Sequence, residues 1–380
     1  MKRFCGFAVG FVFFISGLLK LMDPVGAGLV MKEYFKFLHI GFMDFAAGTL
    51  GVIFALAETV IGAGLITGVW KKATALSAII LQGFFTLLTL ILLIFNPHMD
   101  CGCFGEAIHL SHGETFVKNV IILALLLIYY IPSKHLQKPK NKKYVSFALV
   151  TTSTLAFGIY SILSIPMMDF TDFKSGTIIN TDSQLKTLEY QGRFIYEKDG
   201  ISRTFGLDNL PDSTWTFVSA EDISQQTSAE AAANISIYDR NGNYADSLLT
   251  DGKIMVISIY DTELSAKAQK QIETFSRDAL ANGVTPIVLT ASEGLEFAST
   301  DRYTCDYKTL ITLNRSNGGV TYMENGMIIR KWAKRNLPDH EELAELSKLD
   351  STEIYIERDS KSSLAFQGFL LYVFAVMLLL

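Results

Sequence analysis

Two of the four cysteines in this chain, Cys101 and Cys103, are separated by a single glycine. A disulfide between them would close a small ring, and disulfides held away from relaxed geometry are reduced more easily. Gly102 is the residue type that best tolerates the backbone angles of such a ring. The spacing therefore predicts a redox-active, catalytic pair. A structural bridge, or two thiols packed at a helix end without redox traffic, is the alternative.

Three nearby histidines, His98, His109 and His112, raise the alternative of a metal site. Structural zinc sites usually place two to four residues between paired cysteines, so a single glycine is a poor fit. His109 and His112 also lie in or next to the segment 111–114, whose pattern is typical of a helix start, where polar residues are expected anyway. We therefore expect no metal at the cysteines.

The cysteine pair follows a long apolar stretch, one of several in a chain of 380 residues that is 49% hydrophobic. A helix that crosses a membrane needs about 20 mostly apolar residues. Five stretches meet this requirement, at about residues 4–21, 42–69, 73–95, 116–131 and 145–165. The sequence predicts an all-α membrane bundle of four to five spans over residues 1–165, with residues 364–380 as a candidate sixth.

Lysine and arginine in the short loops predict the orientation of the spans. The clusters precede span one, separate spans two and three, and separate spans four and five; their members are Lys2, Arg3, Lys71, Lys72, Lys134, Lys138, Lys140, Lys142 and Lys143. All three fall on one side, which the positive-inside rule makes cytoplasmic. We expect a multi-pass protein of a bacterial inner membrane, with the cysteine loop and the region from residue 166 onward in the periplasm.

The region outside the membrane divides into two parts. Residues 166–230 predict a β-rich connecting region, with a hairpin turn at Asp199 and Gly200. Residues 231–350 follow another order: a buried strand at 253–260, a helix at 265–282, a strand at 285–290 and a hairpin at 319–332. This order predicts an α/β thioredoxin-like domain.

The bundle resembles the methylamine-utilisation protein MauE and the wider DoxX-like membrane family. The resemblance covers residues 1–165 and depends on four motifs: Gly17-Leu-Leu-Lys-Leu-Met-Asp-Pro24, Glu58 in Ala57-Glu-Thr-Val-Ile-Gly62, Phe84-Phe85-Thr86 and Asp100-Cys-Gly-Cys-Phe-Gly105. As a whole, the chain looks like DoxX-type proteins of Bacteroidetes-like bacteria that fuse such a bundle to a thioredoxin-like domain. The resemblance implies a membrane redox or maturation role that supports disulfides of an extracytoplasmic client, and does not imply that the chain handles methylamine.

Several polar residues are expected to support the cysteine pair. Asp100 and Gly102 adjoin it in sequence, and Lys118 opens the fourth span, where it points at the cysteine loop or simply snorkels to the interface. Glu58 is an acid within an apolar span, which is costly unless it faces the bundle interior. There it would relay protons, bind a quinone or a partner side chain, or form a protonated carboxyl bonded to another helix.

Two further expectations concern charged and sulfur-containing side chains away from the pair. Lys20 and Asp23, at the outer end of span one, are expected to form a salt bridge at the membrane interface. Residues 261–264 occupy the place of the reactive Cys-x-x-Cys of a thioredoxin and contain no cysteine, and Cys305 is the only cysteine of that domain. We therefore expect the outer domain to bind a client without exchanging disulfides itself.

The functional alternatives come from different classes. The favoured function is redox support of extracytoplasmic proteins by a thiol-disulfide oxidoreductase-type activity. One alternative is a non-catalytic membrane-anchored assembly protein, and another is a DoxX-like quinone-interacting subunit of a membrane complex. A quinone is the candidate cofactor. The expected partners are a client protein, membrane lipid and another membrane subunit; the net charge of −5 without a basic arm argues against nucleic acid.

Overall fold

The structure is a computed structural model of the whole chain. It describes residues 2–379 except 98, 100, 109, 132–138, 167, 182–191, 199–200, 206–210, 212–213, 223–231, 262–263, 293, 296, 298–299 and 350. The chain divides into two compact units. The bundle unit contains Met1–Phe170 and Asp359–Leu380, and the α/β unit contains Thr171–Arg358.

The bundle unit consists almost entirely of helices. They are α1 (Lys2–Met22), α2 (Pro24–Phe37), a 3-10 helix (Gly41–Ala46), α3 (Ala47–Thr67), α4 (Lys71–Phe95), α5 (His112–Tyr130) and α6 (Asn141–Leu163), with a short strand β1 (Cys103–Glu106) between α4 and α5. Among the described residues, five segments are long and apolar enough to cross a membrane: Arg3–Met22, Gly41–Thr67, Lys71–Phe95, His112–Tyr130 and Asn141–Leu163. They coincide with the five predicted spans, so the N-terminal part is a multi-pass helical membrane bundle.

Small residues let α1 and α3 approach closely. A Cβ added at Gly62 of α3 would lie 2.6 Å from the backbone nitrogen of Phe14, and one at Gly17 of α1 would lie 2.5 Å from the carbonyl oxygen of Ala55. Membrane helices associate through such small residues because lipid offers no hydrophobic driving force between helices. The close approach places one turn of α1, with Ser16 and Lys20, beside the turn of α3 that bears Glu58.

The helix α2, which the sequence analysis missed, begins at a defined cap. Asp23 accepts a hydrogen bond from the backbone N–H of Gly26 at 2.9 Å, and Pro24 occupies the first helical position. Both are favoured helix-start residues. At α5 the predicted start is confirmed, since Ser111 and Glu114 form a reciprocal capping box.

The last helix, α10 (Ser351–Leu379), supplies the C-terminal part of the bundle unit. Its apolar segment Ser363–Val376 is shorter than the five spans. The Ser153 hydroxyl of α6 donates a hydrogen bond to the Tyr372 oxygen at 2.7 Å, and Phe369 packs on Phe157 with ring centroids 5.5 Å apart. The candidate sixth segment therefore packs on α6 within this unit.

The α/β unit is built on an eight-stranded sheet in the order β6-β2-β12-β11-β8-β9-β10-β7. These strands are β2 (Ile178–Thr181), β6 (Ala232–Ile235), β7 (Ile237–Tyr238), β8 (Lys253–Ile259), β9 (Thr285–Thr290), β10 (Asp301–Cys305), β11 (Gly319–Glu324) and β12 (Met327–Trp332). The strand β8 runs parallel to β9 and antiparallel to β11. A separate sheet, in the order β4-β3-β5, contains β3 (Gly192–Lys198), β4 (Ile201–Phe205) and β5 (Thr216–Asp222).

Alternation along β8 gives the large sheet two buried faces. Ile254 and Val256 pack in one core cluster, and Met255, Ile257 and Ile259 pack in the other. Three helices cover the sheet: α7 (Ala266–Ala281), α8 (Tyr307–Leu313) and α9 (His340–Lys348). Residues of α8 join the first cluster, whereas residues of α7 and α9 join the second.

The elements predicted for residues 253–332 are present at their expected places. The hairpin β11–β12 turns at Asn325 and Gly326, whose φ angles are 49° and 81°. The hairpin β3–β4 is also present, although its turn residues 199 and 200 lie outside the described residues. The structure adds β10 and α8 between β9 and β11. It also places β2, from the predicted connecting region, in the large sheet.

Candidate functional site

A cavity of about 360 Å³ lies within the bundle unit. Its lining includes the predicted site residues Glu58, Cys101, Gly102, Cys103 and Lys118. The remaining predicted residue, Asp100, lies outside the described residues. Sequence analysis selected these residues by their chemical types. The structure shows that residues from α3, α5 and the loop after α4 line one cavity. Most of the lining is apolar, which suits a ligand pocket in a protein interior.

The Cys-Gly-Cys backbone is anchored at both cysteines. The hydroxyl of Tyr34, on α2, donates to the carbonyl oxygen of Cys101 at 2.8 Å, and the hydroxyl of Ser16, on α1, lies 2.7 Å from the carbonyl oxygen of Cys103. Two helices therefore set the position of the tripeptide. Sequence analysis missed both hydroxyls, because neither lies near the cysteines along the chain.

Gly102 connects the two anchored cysteines in a conformation that other residues rarely adopt. Its φ is +59°, and a Cβ at this position would collide with the Val30 side chain of α2. A left-handed backbone at a non-glycine residue costs on the order of 1 kcal/mol or more. The predicted need for glycine between the cysteines therefore has a structural basis in both backbone angle and space.

The two thiols differ in accessibility. The side chain of Cys101 packs with Tyr34 and Leu92, and the residue is only 5% exposed. Cys103 is half-buried at the start of β1. Of the two residues, Cys103 is therefore the more accessible.

A buried ion pair borders the cavity beside Cys103. The ammonium of Lys20 lies 2.7 Å from Oε1 and 2.8 Å from Oε2 of Glu58, and their side chains are 13% and 5% exposed. The expected Lys20–Asp23 salt bridge is therefore wrong: Lys20 turns to α3, while Asp23 caps α2. An acid within an apolar span needs such a partner, because an isolated charge there is expensive.

Ser16 joins the ion pair to the cysteine loop. Its Oγ lies 2.8 Å from Glu58 Oε2 and 2.7 Å from the carbonyl oxygen of Cys103. One hydroxyl has a single hydrogen, so Ser16 donates to one of these two acceptors at a time. The Ser16 hydroxyl thereby connects the ion pair between α1 and α3 to the backbone of Cys103.

Aromatic rings and a second lysine complete the lining. The ammonium of Lys118 lies 4.6 Å from the centre of the Phe104 ring, next to Cys103, and that of Lys20 lies 5.5 Å from the centre of the Phe85 ring. Both distances are within the range of cation–π attraction. Lys118 therefore lies at the cysteine loop, in agreement with the first of its two predicted placements.

A second polar group on the lining joins α4 to α5. Gln82 donates to the backbone oxygen of Asn119 at 3.2 Å, and the Asn119 amide donates to Thr89 Oγ1 at 3.2 Å. All three side chains are buried. Hydrogen-bonded amides of this kind fix two membrane helices against each other.

Of the three histidines near the cysteines in sequence, the structure describes His112. His112 lies against α4, with Nδ1 3.3 Å from Asn96 Oδ1 and Nε2 3.0 Å from the carbonyl oxygen of Met99. His98 and His109 lie outside the described residues. Among those described, no group of three or more His, Cys, Asp or Glu side chains could hold a metal ion.

The α/β unit carries a different arrangement at the end of β8. Asn317 Oδ1 accepts hydrogen bonds from the backbone N–H groups of Tyr260 and Asp261, at 2.9 and 3.2 Å. Cys305, at the end of β10, is buried. Burial, together with the neighbouring Asp306 carboxylate, raises the pKa of its thiol from 9.0 to about 12. A thiol that stays protonated is a poor nucleophile, so Cys305 is unsuited to disulfide exchange.

Comparison with known families finds two matching segments of the chain. The family described as methylamine utilisation protein MauE matches residues 2–132. This segment contains the whole lining of the cavity. A second family, described only as a domain of unknown function, matches residues 190–225, which include the three-stranded sheet. No curated protein and no solved structure matches the chain.

Proposed function

We propose that this membrane protein controls the thiol or disulfide state of extracytoplasmic proteins through Cys101 and Cys103. The observation that carries the proposal is the anchoring of both cysteines, by Tyr34 and Ser16, at the edge of a cavity in a MauE-like bundle. In the exchange step, a client thiolate attacks one sulfur of the Cys101–Cys103 disulfide. The second client thiolate then attacks the client sulfur of the mixed disulfide, which forms the client disulfide and releases the second cysteine of the pair as a thiolate, so the client is oxidised and the pair is reduced.

The basic residues of the loops support one orientation of the bundle in the proposed bacterial inner membrane. With Lys71, Lys72 and the lysines at 140–143 on the cytoplasmic side, the loop that bears Cys101 and Cys103 faces the periplasm. Disulfides form and persist in that oxidising compartment. By the same count of spans, the α/β unit is periplasmic and available to clients.

The α/β unit is proposed to be a thioredoxin-like domain that binds the client. The strand order β9-β8-β11-β12, with β8 and β9 parallel and connected through α7, supports this fold. The sequence after β8 has no cysteine at 261–264, and Cys305 is buried. These features support binding without thiol chemistry in this unit.

A non-catalytic assembly protein is the second candidate. The buried Cys305 and the cysteine-free segment after β8 favour it, because they remove thiol chemistry from the α/β unit. In this alternative the bundle only anchors the unit that binds a partner, and the cysteine pair has no exchange function.

Trapping of a mixed disulfide tests the proposal. Cys101→Ala leaves the more accessible Cys103 to react, so cells expressing it should accumulate a mixed disulfide between this protein and a client. Cys103→Ala leaves only the buried Cys101 and should trap less, while Cys305→Ala is the matched control and should behave as the native chain. The absence of any mixed disulfide with Cys101→Ala, together with normal client oxidation by the double Cys101→Ser/Cys103→Ser variant, would favour the assembly protein.

A further inference from the structure

We infer that the cavity beside Cys101 and Cys103 binds a quinone, which accepts the electrons of the cysteine pair. This inference rests on the proposed function and names the acceptor that it requires. Each turnover that oxidises a client leaves two thiols, which must lose two electrons and two protons before the next. The cavity offers a binding place for a two-electron acceptor.

Size and polarity of the cavity favour a neutral apolar ring. The volume of about 360 Å³ is in the range of small-molecule pockets, and the lining is mainly aliphatic and aromatic. A charged acceptor would pay a large desolvation cost in such a place. A quinone is uncharged in both its oxidised and its two-electron reduced form.

Three phenylalanines on the lining form a surface for a planar ring. Phe54 stacks on Phe84 with ring centroids 6.3 Å apart, and Phe85 lies 6.1 Å from Phe54 and 5.8 Å from Phe84. All three line the cavity. Offset or tilted packing of a further ring against such a set is favourable.

A hydrogen-bond donor lies next to this aromatic set. The Lys20 ammonium is 5.5 Å from the centre of the Phe85 ring. Two of its hydrogens bond the Glu58 carboxylate, and the remaining contact, to Ser16 Oγ, is long at 3.4 Å. Its third hydrogen is therefore suited to a quinone carbonyl, whose developing negative charge the ammonium would stabilise.

The outer part of the lining is suited to an apolar tail. Leu38, Ile40 and Met43 border the cavity, and they flank or belong to the 3-10 helix after α2. In the same helix, Phe42 and Phe45 are 79% and 87% exposed. Such aromatic side chains are favourable at a membrane boundary, so this segment offers entry from lipid, where quinones with apolar tails dissolve.

The redox step balances without another reagent. The two thiols form one S–S bond and release two electrons and two protons, and the two carbonyl oxygens of the quinone take them up to give two hydroxyl groups. Ser16, Lys20 and Glu58 line the same cavity as the two cysteines, so polar groups border the space in which the thiols would meet the ring.

The test uses the full chain in lipid nanodiscs, with reduced cysteines and a short-chain quinone as probe. Native protein should form one quinol per cysteine pair, and Cys101→Ser/Cys103→Ser should form none. Phe85→Ala should bind the quinone about two- to tenfold more weakly. Phe11→Ala is the matched control, because Phe11 is exposed on α1 and does not line the cavity. An equal effect of both phenylalanine variants would overturn the inference.

A binding readout keeps the inference testable apart from activity. An azido-quinone should label peptides containing residues 82–89 in the double serine variant, whose cavity is retained, and excess short-chain quinone should suppress the label. Labelling confined to other helices would contradict the site. A separate single-turnover assay with a reduced two-cysteine peptide and the oxidised protein needs no quinone. Exchange in this assay, combined with no quinol formation in the nanodisc assay, would reject only the quinone site. No exchange in this assay would reject the proposed function itself.

Discussion

The Lys20 ammonium lies within 2.8 Å of both carboxylate oxygens of Glu58, although 38 residues separate the two along the chain. The pair connects α1 to α3, and Ser16 extends it to the carbonyl oxygen of Cys103. Helix packing and the geometry of the cysteine loop therefore depend on the same buried group.

Replacing one member of this ion pair should destabilise the bundle more than replacing both members. Lys20→Met leaves the Glu58 carboxylate buried without its cation, which should cost about 3–5 kcal/mol of unfolding free energy. The double variant Lys20→Met/Glu58→Gln should recover much of this loss, because no buried charge then remains. Unfolding in detergent across the four members of the double-mutant cycle measures the coupling. Additive effects would show that the two residues do not act as a pair.

Adding a methyl group at Gly102 should impair the cysteine loop. Gly102→Ala places a Cβ against Val30 and strains a φ of +59°, so we expect a loss of about 1–3 kcal/mol and slower thiol exchange. Gly83→Ala on α4 is the matched control, since a Cβ there meets no atom within 4 Å. In Gly102→Ala, the further change Val30→Ala should relieve the collision but not the backbone strain. Exchange at the native rate in Gly102→Ala would contradict the account.

Cys305 should stay unreactive while the α/β unit is folded. With its pKa raised to about 12, the thiol is protonated at pH 8, and burial also blocks the reagent. Alkylation should therefore be slow at pH 8 and accelerate as pH rises toward 12, provided that the unit remains folded. In denaturant, where the pKa returns to its ordinary value, alkylation should be rapid at pH 8. Fast labelling of the native protein at neutral pH would show that Cys305 is accessible.

Reporter fusions test the predicted membrane topology on both sides of α6 and after α10. Reporter fusions at Lys140 and at Asp251 should read opposite sides of the membrane, because α6 is expected to cross it. If α10 also crosses, a fusion after residue 380 should read the same side as Lys140. Phe369 and Tyr372 of α10 contact Phe157 and Ser153 of α6. The same reading at Lys140 and Asp251 would show that the number of spans is wrong.

The spans and the central strands were predictable because their signals are local. Hydropathy identifies a span from about 20 consecutive residues, and the run at 253–260 identifies β8. The helix α2 was missed because Lys32, Glu33 and Lys36 interrupt its apolar pattern, although Asp23 and Pro24 carry a helix-start signal. The strand β10 was missed because it is short and only partly buried, with a mainly polar sequence.

The candidate site was predictable by residue type but not by partnership. The cost of a buried acid identified Glu58 as special, and glycine between two cysteines identified the redox candidate. The contacts that connect Glu58 to the cysteines were not predictable, because Lys20, Ser16 and Tyr34 reach the site only through helix packing. Charge alone favoured Asp23 as the partner of Lys20, because it is nearer in sequence. Instead, the close approach of α1 and α3 at Gly17 and Gly62 brings Lys20 to Glu58.

The most direct test of the central claim is the redox titration of Cys101 and Cys103 in native membranes. The fraction of each thiol that reacts with an alkylating reagent is measured by mass spectrometry across buffers of graded potential, with Cys305 as an internal reference. The account predicts that both thiols change together, at one midpoint well above about −300 mV, the value below which structural disulfides usually lie. Thiols that stay reduced across the whole range, or a bridge that opens only below that value, would contradict a redox function of the pair.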